Sequence, residues 1–503
     1  MNKINILGFY LGLHDSNITF VKNGKVSYFK SERLTQLKHH RADMEWIKKI
    51  CEQFNFHPDV VCFSDGGRNN IGSCGFGELF KESNDLFGAK TFCIDHHYAH
   101  ILSAWMLEKA TSSQYGICID GRGDNNSRIS IIKNPFHVRN SKNIMSSCDY
   151  QYCMFFQKLG EYMGLSGLSW DFAGKIMGLQ AYGKKNSKLI NMYHTKNFMI
   201  HPLSLLSKSY FNIPIKNLYK KNGDLFKDWL SSIHYLIELF ITEIFLEAFD
   251  PNDIIVYSGG CAQNTVINNK LSSIFSDLII PPHCYDGGLS LGCAFFVANF
   301  YNEEIYMDEF PFCNCLDDLG YASNNTIERV ADLLAKGKII GWAQGKSEIG
   351  PRALGHRSIL VNPKIDGIKE LLNDRIKKRE YWRPYAASVL PDHLFKFTDK
   401  VGKYPYMLHA IETFPRMKAV YKSIIHFDNT CRFQTVGYDE SLSTYRMLLN
   451  IMQEKYEVDA LLNTSLNANG KPIALSFSDC FSYYSNTELD AICIGNQLFI
   501  KDN

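Results

Sequence analysis

Apolar positions along this chain fall into short blocks whose period switches between that of a strand and that of a helix. Ile4–Gly12 and Ile18–Lys22 are apolar, Asn23-Gly24 is a hairpin turn, and Val26–Phe29 is apolar again. That pattern predicts strand, strand, turn, strand. Leu34–Phe54 has helical character, Val60–Ser64 reads as a short buried strand, and Ala89–Ile94 as another that runs into a helix over His97–Lys109. Tyr115–Asp120 is a predicted strand, followed by a glycine turn and a second strand near Ser130–Lys133. Farther on, Ile254–Ser258 ends in Gly259-Gly260, and a helix over Gln263–Ile274, a strand over Leu278–Ile280 and a helix over Gly288–Phe300 follow. Strands and helices in alternation predict α/β layers.

Residues 301–325 lose this periodicity: Asn302-Glu303-Glu304, Asp317-Asp318, Gly320 and Ser323-Asn324-Asn325 read as a connector. Alternation resumes with a helix over Thr326–Lys336 and a strand over Ile339–Trp342. The boundary is expected near residue 315, giving a domain over 1–315 and another over 316–503. A length of 503 residues is too great for one ordinary domain.

Composition narrows the class. An apolar share of 45% with 21% charged residues is that of a soluble globular protein. Net charge is +2 and no like-charge run stands out, so the overall field neither demands nor excludes an anionic partner. The greasiest segment, Ile233–Phe249, is interrupted by Glu238, Glu243 and Glu247, and is expected to be a buried amphipathic helix. Fifteen cysteines are scattered without a CxxC pair; Cys313 and Cys315 are the one close pair. They read as reduced thiols packed as small apolar groups. Met1–Gly8 has no secretory pattern, and a cytoplasmic location is expected.

Several clusters carry candidate chemistry. In Asp95-His96-His97-Tyr98-Ala99-His100, His96 and His100 are four apart, which on a helix places both imidazoles on one face. They could bind one metal ion, or they could be a core pair; the preceding strand favours a site, since α/β sites gather at strand ends. Asp120-Gly121-Arg122-Gly123-Asp124 follows a strand: Asp120 could join that ion, or the turn could be a solvated hairpin. Ser258-Gly259-Gly260-Cys261-Ala262-Gln263-Asn264 is a strand, a glycine pair and a helix start, where amides suit a phosphate. Asp286, before Gly287-Gly288, is a helix cap or a further carboxylate at the site, capping being the commoner role. After residue 340, Lys346, Arg352, Arg357, Lys377, Lys378, Arg379, Arg383 and Arg432 accumulate in an otherwise neutral chain. Converging cations of this kind suit a polyanion such as a nucleotide with an acyl phosphate. No Walker A pattern occurs, so a P-loop enzyme is excluded.

Taken together these segments are familiar. The chain resembles the O-carbamoyltransferase family of the nodulation-factor, tobramycin, novobiocin and cephamycin enzymes. Its matching segments include Gly12-Leu13-His14-Asp15-Ser16, Ser31-Glu32-Arg33 with Lys38-His39, His96-His97-Tyr98-Ala99-His100, Asp120-Gly121-Arg122-Gly123 and Lys175-Ile176-Met177-Gly178-Leu179. Gly259–Asn264, Gly350-Pro351-Arg352-Ala353-Leu354-Gly355, Arg383-Pro384-Tyr385-Ala386 and Leu462–Asn467 continue the series in family order. The resemblance implies an actin-like (ASKHA) duplicated α/β domain followed by a YrdC-like α/β domain. It implies that the second domain makes carbamoyl-adenylate and pyrophosphate from carbamoyl phosphate and ATP. The first would then pass the carbamoyl group to an acceptor hydroxyl and release AMP.

Carried over residue by residue, the resemblance assigns His96, His100, Asp120 and Asp286 to a divalent metal, Fe(II) in characterised members, with Mg(II) accompanying ATP. It puts His14 and Lys38 at the transfer centre. Arg352, Lys377, Arg383 and Arg432 would hold carbamoyl phosphate and the nucleotide phosphates with Ser465 nearby, and Gly259, Gly260 and Asn264 would contact nucleotide. Family members carry Arg where this chain has Asn469, and residues that are small or apolar where it has Cys261 and Gln263. The acceptor is expected to be a sugar, a natural product or another small alcohol. A hydroxymethylated pyrimidine, free or in phage-type DNA, is the alternative acceptor. A homodimer is the family's usual assembly. An actin-like kinase or chaperone would leave the basic cluster after residue 340 without a role. Hydrogenase-maturation chemistry would call for Cys-rich zinc motifs, which are missing.

Overall fold

The first apolar blocks form β1 (Ile6–Tyr10), β2 (Asn17–Lys22) and β3 (Lys25–Lys30), with Asn23 and Gly24 both at positive φ in the connecting turn. This is the backbone that a two-residue hairpin loop requires. A computed structural model describes residues 3–64, 76–194, 202–207, 209–210, 213–314 and 318–501. The boundary expected near residue 315, and Cys315 itself, lie outside the described residues. Two compact units emerge: Met1–Val26 with His40–Met307, and Ser27–His39 with Asp308–Asn503.

The first unit holds two sheets of one design. In the first, the order among the strands of this unit is β2-β1-β4-β5, with β4 (Val60–Ser64) and β5 (Lys90–Ile94). β1 pairs antiparallel with β2 and parallel with β4, and β4 pairs parallel with β5. The second contains β6 (Tyr115–Ile119), β7 (Ile129–Lys133) and β8 (Lys142–Ser147). After a small two-stranded ribbon of β9 (Ser209–Tyr210) and β10 (Ile213–Pro214), it is completed by β11 (Ile255–Ser258) and β12 (Leu278–Ile279). Its order is β8-β7-β6-β11-β12, with β6 antiparallel to β7 and parallel to β11, and β11 parallel to β12. Order and direction therefore repeat from one sheet to the other. This is the duplicated α/β architecture of the actin-like class.

Helices depart from the sequence pattern where capping chemistry intervenes. The stretch 34–54 is two helices, Ser31–Thr35 and Met44–Gln53, because Gln36 and His39 adopt left-handed backbone between them. The helix expected over His97–Lys109 is His96–Leu102, and it stops where the Ser103 hydroxyl takes the His100 carbonyl at 2.7 Å. Asp95 caps its start by accepting the Tyr98 N–H. The glutamate-interrupted segment lies inside the helix Gly223–Ala248, which is long and apolar enough to cross a membrane by length and composition, yet 72% of its most apolar window is buried in the protein.

The second unit carries an eight-stranded mixed sheet. Its strands are β14 (Ile340–Ala343), β16 (Arg357–Val361), β17 (Ala386–Val389), β18 (Ile411–Glu412), β19 (Thr430–Thr435), β20 (Ala460–Ser465), β21 (Ala491–Ile494) and β22 (Gln497–Ile500). The order is β18-β19-β17-β20-β16-β14-β21-β22. Within the same unit, β13 (Phe312–Asn314) pairs with β15 (Ser347–Glu348) and with Tyr28 of β3. Strand alternation divides the sheet's side chains between two cores. Ile359 and Val361 join Phe397 and Phe433 in one, whereas Leu360, Trp342 and Leu449 belong to the other.

Candidate active site: a histidine–carboxylate cluster and a cation pocket

Strand ends assemble the first cluster. His96 opens the helix directly after β5, Asp120 follows β6, Gly259 follows β11, and Asp286 lies beyond β12. Ligand atoms of His96, His100, Asp120 and Asp286 all lie within 4.8 Å of one another. The structure thus brings together the four residues assigned to a metal. Asp286 does not cap a helix, which corrects the commoner role expected from its sequence context; its carboxylate turns into the cluster instead.

The donor set fits a divalent ion. Both ring nitrogens of His96 and of His100 are buried without a hydrogen bond, an arrangement that buried polar groups rarely tolerate. Carboxylate oxygens stand 3.4 to 3.8 Å from their Nε2 atoms. Two atoms bonded at ~2.1 Å to one ion are themselves roughly 3.0–3.4 Å apart. Imidazoles with carboxylates suit iron, zinc or manganese. Electrostatics agree with a charged cluster: burial would discharge His96, but Asp120 and Asp286 outweigh it and raise the imidazole to about 9. Burial likewise opposes ionisation of Asp120 and Asp286, yet the surrounding histidines hold both carboxyls below their usual range.

Outer contacts orient these groups. Asp120 Oδ1 accepts the Gly260 N–H at 2.5 Å, and Asp286 Oδ2 accepts the Tyr10 hydroxyl at 2.7 Å. The Asn17 amide donates to the carbonyls of Asp15 and Asp286, at 2.7 and 2.9 Å, and receives the Ser290 N–H. Such partners fix ligand direction much as a metal site requires. His97, between the two ligands, points elsewhere: its Nδ1 meets Ser130 Oγ at 2.8 Å, and burial and the His96 charge lower it to about 3.

His14 is placed beside this cluster. Its Nδ1 meets Asp15 Oδ2 at 2.8 Å, and its Nε2 stands 3.8 Å from Asp286 Oδ2. A carboxylate accepting from Nδ1–H leaves Nε2 as the basic nitrogen. Lys38, expected at the same centre, belongs to the segment Ser27–His39 of the second unit. There its charge acts on Lys377.

At the glycine pair, Gly259 has φ +94, and a Cβ there would meet the Ile119 carbonyl at 2.4 Å, so only glycine fits. The helix expected over Gln263–Ile274 is Thr265–Ser272, and Asn264 is its cap, accepting the Val266 and Ile267 N–H groups. The Asn264 amide nitrogen meets His234 Nε2 at 3.0 Å. Gly260 instead serves Asp120, as above.

The second cluster lies wholly in the second unit. Lys377 ends the π-helical turn Leu372–Lys377, and its Nζ donates to the Ser465 carbonyl, the Asn467 carbonyl and Asn467 Oδ1 at 2.7–2.8 Å. Burial first, then Arg379, Arg383 and Lys38, holds Lys377 far below the usual lysine range. Arg432 on β19 is depressed in the same way by burial and by Arg352, Arg379 and Arg383. Burial and Arg383 pull Arg379 down to about 10 although Tyr385 opposes them. Arg352, Lys377, Arg383 and Arg432 thus share one field, with Ser465 Oγ 3.5 Å from Lys377 Nζ.

Some residues that shape this pocket were given no role by the sequence. Glu348 is fully buried, and its Oε1 accepts the N–H groups of Leu354, His356 and Arg357 at 2.9–3.0 Å, clamping the turn that carries Arg352. Arg33 reaches the Gly350 carbonyl at 2.9 Å and the Ile473 carbonyl at 3.3 Å. Arg379 stacks on Tyr385, 4.1 Å from its ring centre. Membership of Arg33 in Ser31-Glu32-Arg33 and of Arg379 in the basic run was the available sequence clue. Asn469, where arginine is the family habit, donates to the Lys378 carbonyl at 3.0 Å.

Comparison with known proteins adds independent observations. The family description "Carbamoyltransferase N-terminus" matches residues 80–295, and "Carbamoyltransferase C-terminus" matches residues 331–501. The chain is 27% identical over 440 residues to nodulation protein NolO of Bradyrhizobium diazoefficiens, covering 81% of this chain and 79% of that protein. With nodulation protein NolNO of Sinorhizobium fredii it shares 27% over 441 residues and spans 64% of that protein's length. Identity to the 3'-hydroxymethylcephem-O-carbamoyltransferase of Amycolatopsis lactamdurans is 24% over 508 residues, covering 96% and 97% of the two chains. Among solved structures, HypF of T. kodakarensis aligns with 14% identity and a TM-score of 0.37 over 60% of this chain and 48% of that one.

Proposed function

The chain belongs to the carbamoyltransferase family, and from that premise we propose that it is an ATP-dependent O-carbamoyltransferase that makes carbamoyl-adenylate in its second unit and transfers the carbamoyl group to an alcohol in its first. One observation carries the reading. Lys377 is buried and Arg379 and Arg432 are part-buried, Lys377 sharing its field with Arg379 and Arg383, and Arg432 with Arg352, Arg379 and Arg383. Buried like charges are costly unless an anion joins them. Carbamoyl phosphate with the ATP phosphates supplies that anion.

The balanced activation cleaves carbamoyl phosphate with water to carbamate and phosphate, then forms a bond between a carbamate oxygen and the α-phosphorus of ATP, expelling pyrophosphate. Arg352, Lys377, Arg383 and Arg432 hold the phosphates and stabilise charge developing at phosphorus. In the transfer step the acceptor oxygen attacks the carbamoyl carbon, the bond to the AMP phosphate breaks, and His14 Nε2 takes the hydroxyl proton. Asp15 holds the His14 ring and favours its protonated form once the proton arrives. His96, His100, Asp120 and Asp286 would hold a divalent ion, which would supply Lewis-acid character beside the transfer centre.

The test separates the two steps. Protein, ATP and carbamoyl phosphate are incubated without acceptor and pyrophosphate is measured. Arg352→Ala is expected to lose at least about two orders of magnitude of pyrophosphate release, the scale of losing one preorganised charge contact. His14→Asn is expected to retain release and lose transfer to any alcohol that the wild type accepts. Failure of both variants at one step would refute the division of labour.

A further inference from the structure

The imidazole that takes the acceptor proton does not open onto bare solvent. Trp170 lies against His14, with ring centroids 4.1 Å apart and planes inclined at 43°. Trp170 is nevertheless 42% exposed, Leu168 beside it 42%, and Leu13 next to His14 47%. The segment that displays the indole is firmly held. It turns at Gly164 and Gly167, both at positive φ. The buried Lys175 donates from Nζ to the Ser166 carbonyl at 2.6 Å, the Gln157 amide donates to Ser169 Oγ at 3.3 Å, and the Asp171 N–H closes on the Leu168 carbonyl at 3.0 Å. A loop anchored at three points could turn its tryptophan inward; this one holds the ring against the reactive histidine with much of its surface in water. An indole offers a large, rigid, electron-rich face at small entropic cost.

We propose that Trp170 is the face on which the acceptor stacks, and that the acceptor alcohol is therefore borne by a ring with a flat, weakly polar side. This rests on the reading of His14 as the transfer base. A pyranose presents such a side through its C–H bonds, and a pyrimidine through its π-system; an acyclic alcohol presents none. Stacking on the indole would bring a hydroxyl on that ring to His14 Nε2. Trp170 handles no proton and breaks no bond, so it acts as a positioning residue. Its removal changes how the acceptor is held more than how fast the held acceptor reacts.

The experiment uses the full chain with ATP and carbamoyl phosphate, and three probes: methyl β-glucopyranoside, 5-hydroxymethyl-2'-deoxycytidine and glycerol. AMP release and mass gain of the probe are followed for wild type, Trp170→Ala and Trp170→Phe. At least one ring alcohol is expected to be carbamoylated, with glycerol lower by about tenfold or more in kcat/KM, as loss of one aromatic stack implies. Trp170→Ala is expected to raise KM for that ring acceptor about tenfold with kcat changed much less, and Trp170→Phe to restore most of the loss. Which ring probe responds distinguishes the sugar from the pyrimidine source. An unchanged KM in Trp170→Ala, or glycerol equal to the ring alcohols, overturns the proposal. So does wild-type pyrophosphate release with no ring probe carbamoylated. Absence of pyrophosphate release from the wild type would instead strike the parent reading.

Discussion

His426 shows how much one part-buried side chain can tie to pH. Its ring meets Thr430 Oγ and the Tyr385 carbonyl, and burial, then the Arg432 charge, lowers it from 6.5 to about 4. In the folded chain it is therefore neutral where an unfolded chain would bind a proton. Its stabilising contribution is present above about pH 6.5 and is lost progressively as pH falls toward 4, on the order of 3 kcal/mol when complete. Urea unfolding at pH 7.5 and pH 5 is expected to show this loss, and His426→Gln is expected to flatten it. Gly259 is a second residue-scale case: Gly259→Ala meets both a forbidden φ and the Ile119 carbonyl, and is expected to cost about 2 kcal/mol or more in chemical denaturation. At this scale the cluster was partly legible. Helical spacing put His96 and His100 on one face and a strand end exposed Asp120, but Asp286 read more readily as a cap, because a carboxylate before Gly287-Gly288 has the same local signature in either role and capping is the commoner one. Tyr10 gave no signal, since its partner Asp286 is brought to it by packing across the unit.

Among elements, strands were read closely: Val60–Ser64 matches β4, and β5, β6 and β11 differ from expectation by a residue at one end. β4, β6 and β11 are buried along nearly their whole length, so an apolar run marks them clearly. The helix after β5 was overextended because apolar periodicity continues past Leu102, whereas the chain leaves the helix at Ser103, whose hydroxyl donates to the His100 carbonyl. The π-helical turn before Lys378 had no sequence marker; such turns recur at functional sites. The turn from Glu348 to Arg357 is held by a carboxylate in place of regular structure. Glu348→Ala is expected to destabilise the protein by about 3 kcal/mol, since three buried N–H groups lose a charged acceptor. Glu348→Gln keeps one accepting oxygen and should recover part of that stability, with the apparent affinity for carbamoyl phosphate recovering in parallel when both are measured.

For the whole molecule, two compact units predict separable responses to ligands. Carbamoyl phosphate with a non-hydrolysable ATP analogue, at a hundredfold over Kd, should stabilise the second unit by about 2.7 kcal/mol, and chelation should lower only the melting of the first. Calorimetry combined with hydrogen exchange of β1 and β20 peptides assigns each shift; a single shared shift would contradict it. Repetition of one strand order in two sheets was legible only through the resemblance, which implied a duplicated domain; periodicity could not give it, because pairing of β6 with β11 joins residues far apart in sequence. Nor was membership of Ser27–His39 in the second unit. That membership bears on synthesis. When Arg33 leaves the ribosome, the carbonyls of Gly350 and Ile473 that will receive it have yet to be translated. At about 5–20 residues per second, the wait is some tens of seconds. A nascent chain stalled before its last strands would hold an unquenched guanidinium, which is a natural foothold for a holdase, and a fragment begun at residue 308 would lack its own keystone.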